Sequence, residues 1–299
     1  MCVLVLLYKV VHGHWLVAGA NRDEQLDRPS APPALEVPSA RCTSDSAHRA
    51  PAFVAPRDLT AGGTWMGLNR QGLFVALTNR SQARAQPESA ASARSRGLLV
   101  RDLLACSDAR RACDWLVERA SSHPYLPYHL VAIDSHRAAL ATHFGGPSAP
   151  RVDPLHPGVH VVGNRDVNDP NDTRVEWIRR AVETSDARDV ETWRSRLEQL
   201  LGVHRARAVV PAPESAETLP PRQLAASSSD GARDSPCLHL DGYGTRSSAV
   251  LALSTGEPRP GQWRWWHADG APCLTPYEDF TGLLDQLRQP TDEDRGNVQ

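Results

Sequence analysis

Cys2 is the residue with the clearest chemical potential, because it directly follows Met1 and precedes an apolar run, residues 3–8, typical of a buried strand. Initiator methionine is normally removed when a small residue follows it, which would leave Cys2 with a thiol and a free α-amine. The thiolate is a strong nucleophile, and an amine of pKa about 7.7–8.0 can act as the base that activates it. One residue would then supply nucleophile and base together. The alternative is a small buried side chain on a first strand.

Four polar groups lie next to predicted strands, and their chemistry suits acyl transfer from an amide. They occupy residues 21–24, 78–80, 163–166 and 243–246. Asparagine N–H groups can hold the oxygen on which negative charge develops, a carboxylate can orient the α-amine, and an arginine can stabilise the thiolate. This chemistry requires none of the twelve histidines. The alternative for each group is a turn or a surface ion pair.

The predicted elements that would position these groups are hairpins with helices between them. Strand pairs are predicted at 2–11 with 15–19, 64–68 with 73–78, 129–133 with 138–142, and 247–253 with the strand around 263–266. Helices are predicted within 95–120, broken near Ser107-Asp108, and at 172–183 and 189–201. This order indicates an α+β protein with antiparallel sheets. Three stretches, 31–56, 81–93 and 205–235, are predicted to be mobile.

Composition and cysteine spacing exclude several classes of protein. The formal net charge of −2 gives no excess of positive charge for binding nucleic acid or an anionic membrane surface. The apolar run near the start is too short to span a bilayer, so a cytoplasmic protein is expected. The six cysteines form no CxxC pair and no Cys/His set with zinc-like spacing. The sequence therefore predicts no metal site and no disulfide framework, and the other five cysteines are interpreted as structural.

Motifs spread along the chain resemble the NRDE family, which includes the animal transport and Golgi organisation proteins. The motifs are Met1-Cys2, Asn21-Arg22-Asp23-Glu24, Gly62-Gly63-Thr64-Trp65-Met66-Gly67, Ala76-Leu77-Thr78-Asn79, Ser95-Arg96-Gly97 and Tyr243-Gly244-Thr245-Arg246-Ser247-Ser248. The resemblance runs from residue 1 to about residue 280. It implies an N-terminal nucleophile (Ntn) hydrolase-like fold, a four-layer αββα sandwich. More distantly, the chain is similar to choloylglycine hydrolases and penicillin V acylases.

The resemblance also implies roles for individual residues. Cys2 would be the nucleophile and Asp23 the carboxylate that orients its amine. Asn79 and Asn164 would be donors to the oxyanion, and Arg246 the cation beside the thiol. The chain departs from those acylases at Ala20, where they carry an arginine.

The leading hypothesis is an amidase or acyltransferase that needs no cofactor and cleaves a small amide or acyl compound through a Cys2 thioester. It would form a single domain, residues 1–288, with an insertion near 205–235 and a polar tail, 289–299. The second hypothesis is a carrier for haem or acyl-CoA, in which Cys2, His12 or His14 ligates iron and residues 263–266 cover an apolar ligand. The alternative for that aromatic stripe is a strand packed in its own core. A third hypothesis is a scaffold without chemistry.

Overall fold

The computed structural model describes residues 2–37, 50–81, 93–119, 122–146, 148–204, 234–256 and 259–289. Within these ranges the chain forms two antiparallel sheets, with strands numbered in chain order. Sheet A contains β1 (Val3–Tyr8), β2 (His14–Gln25), β10 (Gly158–Val162), β11 (Tyr243–Ser254), β12 (Trp263–Ala268) and β13 (Glu278–Asp279). Its strand order is β10-β1-β2-β11-β12-β13, so β1 and β2 are both interior strands with a neighbour on each side.

Sheet B is built from strands that follow one another in sequence. It contains β3 (Ser30–Glu36), β4 (Phe53–Asp58), β5 (Met66–Asn69), β6 (Phe74–Asn79), β7 (Tyr128–Ile133), β8 (Ala138–His143) and β9 (Arg151–Pro154). Each strand pairs with the next one along the chain.

Five helices in the described ranges complete the architecture: α1 (Arg96–Leu103), α2 (Ala109–Glu118), α3 (Thr173–Glu183), α4 (Val190–Leu201) and α5 (Thr281–Arg288). Three of them begin where an aspartate side chain accepts hydrogen bonds from backbone N–H groups of the first turn. Asp108 caps α2, Asp172 caps α3 and Asp189 caps α4. The break near Ser107-Asp108 and the helices at 172–183 and 189–201 are therefore confirmed.

Strand alternation divides the buried apolar residues into three layers. Leu4 and Leu6 of β1 face sheet B, where they meet residues such as Phe74 in a core between the sheets. Val3 and Val5, which point the other way, pack against α3 and α4. A third cluster joins the outer face of sheet B to α1 and α2. The order is helices, sheet A, sheet B, helices, which confirms the α+β class and the four-layer αββα sandwich.

The structure corrects several boundaries predicted from the sequence. β2 continues to Gln25, so residues 21–24 lie within the strand and not after it, and β11 already begins at Tyr243. Of the segment 31–56, predicted to be mobile, residues 31–36 belong to β3 and residues 53–56 to β4, whereas residues 38–49 lie outside the described residues. Most of the predicted mobile segments 81–93 and 205–235, and residues 290–299 of the tail, lie outside the described residues.

Cys106 is disulfide-bonded, a bond that the cysteine spacing did not predict.

Among the helices of the described ranges, none combines the length and the apolar character needed to cross a bilayer.

Candidate active site

Cys2 lies just before β1, half-buried, at one end of the core between the sheets. It lines a cleft with a water-accessible volume of about 270 Å³, together with Arg22, Trp65, Asn79 and Arg96. Because side chains alternate along a strand, Cys2 lies on the same side of β1 as Leu4, facing sheet B. The thiol is thus accessible from the cleft and backed by the apolar core.

Arg22 is the first of two cations near the thiol. Val3 pairs with Asn21, so Arg22 occupies the position on β2 next to Cys2. Its side chain is only 5% exposed, and its guanidinium carbon lies 4.4 Å from the centre of the Trp65 ring. Burial lowers the pKa of Arg22, and the negative charge of an ionised Cys2 acts in the opposite direction. The Nη1 atom of this buried side chain has no hydrogen-bond partner among the described residues.

Arg96, the first residue of α1, is the second cation, and two glycines bring it to the cleft. A side chain at Gly63 would lie 2.4 Å from the backbone of Gly97, so this close approach requires glycine. Thr64 N–H donates to the Gly97 carbonyl at 3.0 Å, which joins the two segments. Burial lowers the pKa of Arg96, and ionised Cys2 again opposes this shift.

We expect Arg22→Gln to slow alkylation of Cys2 by iodoacetamide about tenfold at neutral pH, because it removes a buried cation beside the sulfur atom that reacts. The measurement is the labelling rate of residue 2, followed by peptide mass spectrometry. Arg57→Gln is the control, because Arg57 is an exposed residue of β4. An unchanged rate in Arg22→Gln would show that this cation does not act on the thiol.

Asp23 lies on the opposite face of β2, toward the helices. Its carboxylate is fully buried and accepts hydrogen bonds from Thr245 Oγ1 at 2.7 Å and from Arg174 Nη1 at 3.2 Å. Burial raises the pKa of Asp23 above its ordinary value, and the charge of Arg174 opposes this rise. Arg174 and the hydrogen bond from Thr245 therefore offset part of the cost of burying this carboxylate.

Arg174 connects Asp23 to the backbone of Cys2 and was not among the predicted site residues. Its Nη2 atom donates to the Cys2 carbonyl at 3.2 Å and to Asn164 Oδ1 at 3.1 Å. The side chain is 3% exposed. One signal for a buried arginine was present in the sequence. Arg174 lies four positions before Ile178, so the two side chains share one face of α3, and that face is buried.

Asn79 and Asn164 lie together where the two sheets meet. Asn79 ends β6 and lines the cleft beside Cys2. Asn164 follows β10, and its Nδ2 atom donates to the Asn79 carbonyl at 2.5 Å. Two further hydrogen bonds hold this junction, from Thr78 Oγ1 to the Gly163 carbonyl and from Ser81 N–H to the Asn164 carbonyl. Asn164 thus positions Asn79 in this arrangement, and the oxyanion role of both residues stays a prediction.

Arg246 is not among the residues that line the cleft of Cys2. It lies in a β-bulge of β11, between Thr245 and Ser247, and its Nη1 atom donates to Asp269 Oδ1 at 3.1 Å. The bulge directs this side chain away from the position that strict alternation would give it. In the structure, Arg22 and Arg96 occupy the place beside the thiol that the sequence analysis gave to Arg246.

The residues of the carrier hypothesis do not converge on one site. His12 lies in the turn after β1 and His14 begins β2, whereas Cys2 precedes β1. A six-residue strand such as β1 spans about 20 Å. Trp263 and Trp265 are buried in the core between the sheets, and Trp266 is buried between sheet A and the helices. The aromatic stripe is therefore core packing, the alternative considered for it.

Sequence comparison assigns the chain to a family. The sequence profile described as "Transport and Golgi organisation 2" matches residues 1–257. The chain belongs to this family. A mouse Transport and Golgi organization 2 homolog is 29% identical over 154 residues, a match that covers 50% of this chain and 50% of the mouse protein. The chain thus spans about half the length of this relative.

The solved structure of a conjugated bile acid hydrolase has the same fold as this family member. A mutant of the conjugated bile acid hydrolase from Clostridium perfringens superimposes with a TM-score of 0.53 at 13% identity, covering 95% of this chain and 94% of that one. The penicillin V acylase from Agrobacterium tumefaciens has a TM-score of 0.43 at 11% identity, covering 92% and 93%. At this level of identity, the likeness to the bile acid hydrolase establishes the fold alone.

Proposed function

We propose that the protein is an N-terminal-cysteine hydrolase or acyltransferase that acts on a small amide or acyl compound through a Cys2 thioester. The observation that carries this proposal is the position of Cys2 in a cleft beside Arg22, a buried cation with an unpartnered Nη1 atom. A buried donor without a partner costs free energy, and an anionic thiolate or a substrate oxygen would satisfy it. The named activity of the bile acid hydrolase supports only the reaction class, hydrolysis.

In the proposed reaction, the free α-amine of Cys2 takes the thiol proton and the thiolate attacks the carbonyl carbon of the substrate. The carbonyl oxygen gains negative charge, which the side-chain amide of Asn79 stabilises from the cleft. The C–N bond then breaks, and the α-ammonium returns its proton to the leaving amine. Attack by water on the thioester releases the acid and regenerates Cys2, whereas attack by another nucleophile would complete acyl transfer.

Asp23 and Arg174 act on this reaction through position. Arg174 donates to the carbonyl of Cys2, so it fixes the backbone that carries both the thiol and the amine. Asp23 holds the other end of the Arg174 guanidinium and is itself held by Thr245. The orientation of the nucleophile therefore depends on a buried network, of which Asp23 also borders the cleft.

We expect the mature protein to lack Met1, because the proposed base is the amine of Cys2. Intact-mass measurement of the protein from its native host or from a bacterial expression host checks this directly. A mass lower by one methionine residue is the expected result. Quantitative retention of Met1 would eliminate the free-amine mechanism.

A further inference from the structure

A second cluster of reactive side chains lies outside the Cys2 cleft. His204 follows α4, Cys237 and His239 precede β11, and Cys273 lies between β12 and β13. The donor atoms of these four residues all lie within 4.8 Å of one another. Three separate segments of the chain therefore bring two thiols and two imidazoles to one point.

The distances match those between the ligands of a tetrahedral metal ion. With Zn–S bonds of about 2.3 Å and Zn–N bonds of about 2.0–2.1 Å, ligand atoms lie about 3.8 Å apart for two sulfurs and about 3.5 Å for sulfur and nitrogen. The Sγ atoms of Cys237 and Cys273 are 3.6 Å apart. His239 Nε2 lies 3.7 Å from Cys237 Sγ and 3.1 Å from Cys273 Sγ. We propose that His204, Cys237, His239 and Cys273 bind a zinc ion.

The donor set favours zinc over other occupants. Two thiolates and two imidazoles in tetrahedral arrangement select zinc among the common divalent ions, and two thiolates balance its charge. A disulfide would require the sulfurs to lie about 2.05 Å apart, but both cysteines are free in the structure. Four protein ligands leave no open position for a substrate, so the site is structural.

Two ligands of the proposed zinc site lie on the segment before β11, which is hydrogen-bonded to Thr245, the residue that donates to Asp23. Leu238 lies between two of the ligands, and its N–H donates to Thr245 Oγ1 at 2.8 Å. The Thr245 N–H returns a hydrogen bond to the Leu238 carbonyl at 2.9 Å, and Thr245 Oγ1 donates to Asp23. On the same loop, the Pro236 carbonyl accepts from Asn21 Nδ2 at 2.8 Å. The proposed ion thus stabilises the part of sheet A that carries the buried network, whether or not Cys2 is catalytic.

The test is the metal content of the purified full-length protein, measured by inductively coupled plasma mass spectrometry after expression with zinc and dialysis. We expect about one zinc per chain in the wild type and less than about 0.1 in Cys237→Ser/Cys273→Ser. Cys113→Ser should retain the wild-type content, because Cys113 is a free cysteine on α2, far along the chain from the cluster. Removal of zinc by a chelator should lower the Tm by about 5 °C or more.

A second measurement keeps the proposal open to refutation if the double variant does not fold. Cobalt(II) bound to the wild-type chain should show the absorption bands of a tetrahedral site with thiolate ligands, and His204→Ala should weaken them, since His204 is the exposed ligand. The proposal is overturned if the reduced, folded wild type takes up neither zinc nor cobalt. It is equally overturned if the metal content of the folded double variant equals that of the wild type.

Discussion

Cys2→Ala is expected to lower kcat/KM for the hydrolysed substrate about 10³-fold or more and to abolish the covalent acyl intermediate, because it removes the nucleophile. Alanine is small, so removal of Met1 and the free α-amine should be preserved in this variant. The side chain is half-buried just before β1, and the loss of one sulfur should leave the fold intact. Steady-state kinetics and circular dichroism of the same preparation separate loss of chemistry from loss of structure.

Cys113→Ala is the matched control for this prediction. Cys113 is also a free, half-buried cysteine, but burial raises its pKa to about 11, so its thiol stays protonated and unreactive near neutral pH. Its activity should equal that of the wild type. If Cys2→Ala retained more than about a tenth of the wild-type rate, the thioester mechanism would be wrong.

Arg174→Met is expected to lower the free energy of unfolding by about 3–5 kcal/mol, because it leaves the carboxylate of Asp23 buried without its charged partner. The variant also removes the hydrogen bonds to the Cys2 carbonyl and to Asn164 Oδ1. Methionine fills a similar volume, so the loss should come mainly from the broken pair and not from a cavity. Urea unfolding followed by circular dichroism measures it.

The pH dependence of Arg174→Met distinguishes a charge effect from a packing effect. Burial already raises the pKa of Asp23, and loss of Arg174 removes an opposing influence and raises it further. The folded protein then keeps a proton that the unfolded chain releases at lower pH, so stability falls as pH rises through the folded-state pKa of Asp23. The variant should be closest to wild type in acid and weakest at neutral pH.

Arg180→Met is the control for this second prediction. Arg180 lies on the same helix, α3, but is largely exposed and pairs with Glu176 at the surface, where ion pairs contribute little. It should unfold like the wild type at every pH. A loss in Arg174→Met that did not vary with pH would show that packing, and not the charge of Asp23, accounts for the effect.

Much of the fold could be predicted because its signals are local. Asp108, Asp172 and Asp189 are helix caps that can be recognised in sequence. The alternation of apolar residues along the strands indicated antiparallel sheets. The end of β2 was misplaced, because Asn21 and Asp23 are polar residues of kinds that usually mark turns. They remain in the strand because partners on distant segments satisfy them: the Leu201 carbonyl for Asn21 and Thr245 for Asp23.

The parts of the sites that escaped prediction depend on contacts between residues far apart in sequence. Arg174 reaches Asp23 across 151 positions, through the docking of α3 on sheet A. The proposed zinc ligands have no recognisable spacing, because a single residue separates Cys237 from His239 and the other two ligands come from other segments. Arg246 was given the place beside the thiol, but a β-bulge and Asp269 hold it elsewhere. Such contacts are set by tertiary packing, which periodicity and spacing do not encode.

The central claim, that Cys2 is an acyl-accepting nucleophile, is tested most directly by incubating the wild-type protein with a thiol-directed acyl probe and mapping the labelled residue by mass spectrometry. The predicted result is a single hydroxylamine-sensitive acyl group on residue 2 of a chain that lacks Met1, absent from Cys2→Ala and present in Cys113→Ala. Acylation that is absent, or that occurs equally in Cys2→Ala, would contradict the account.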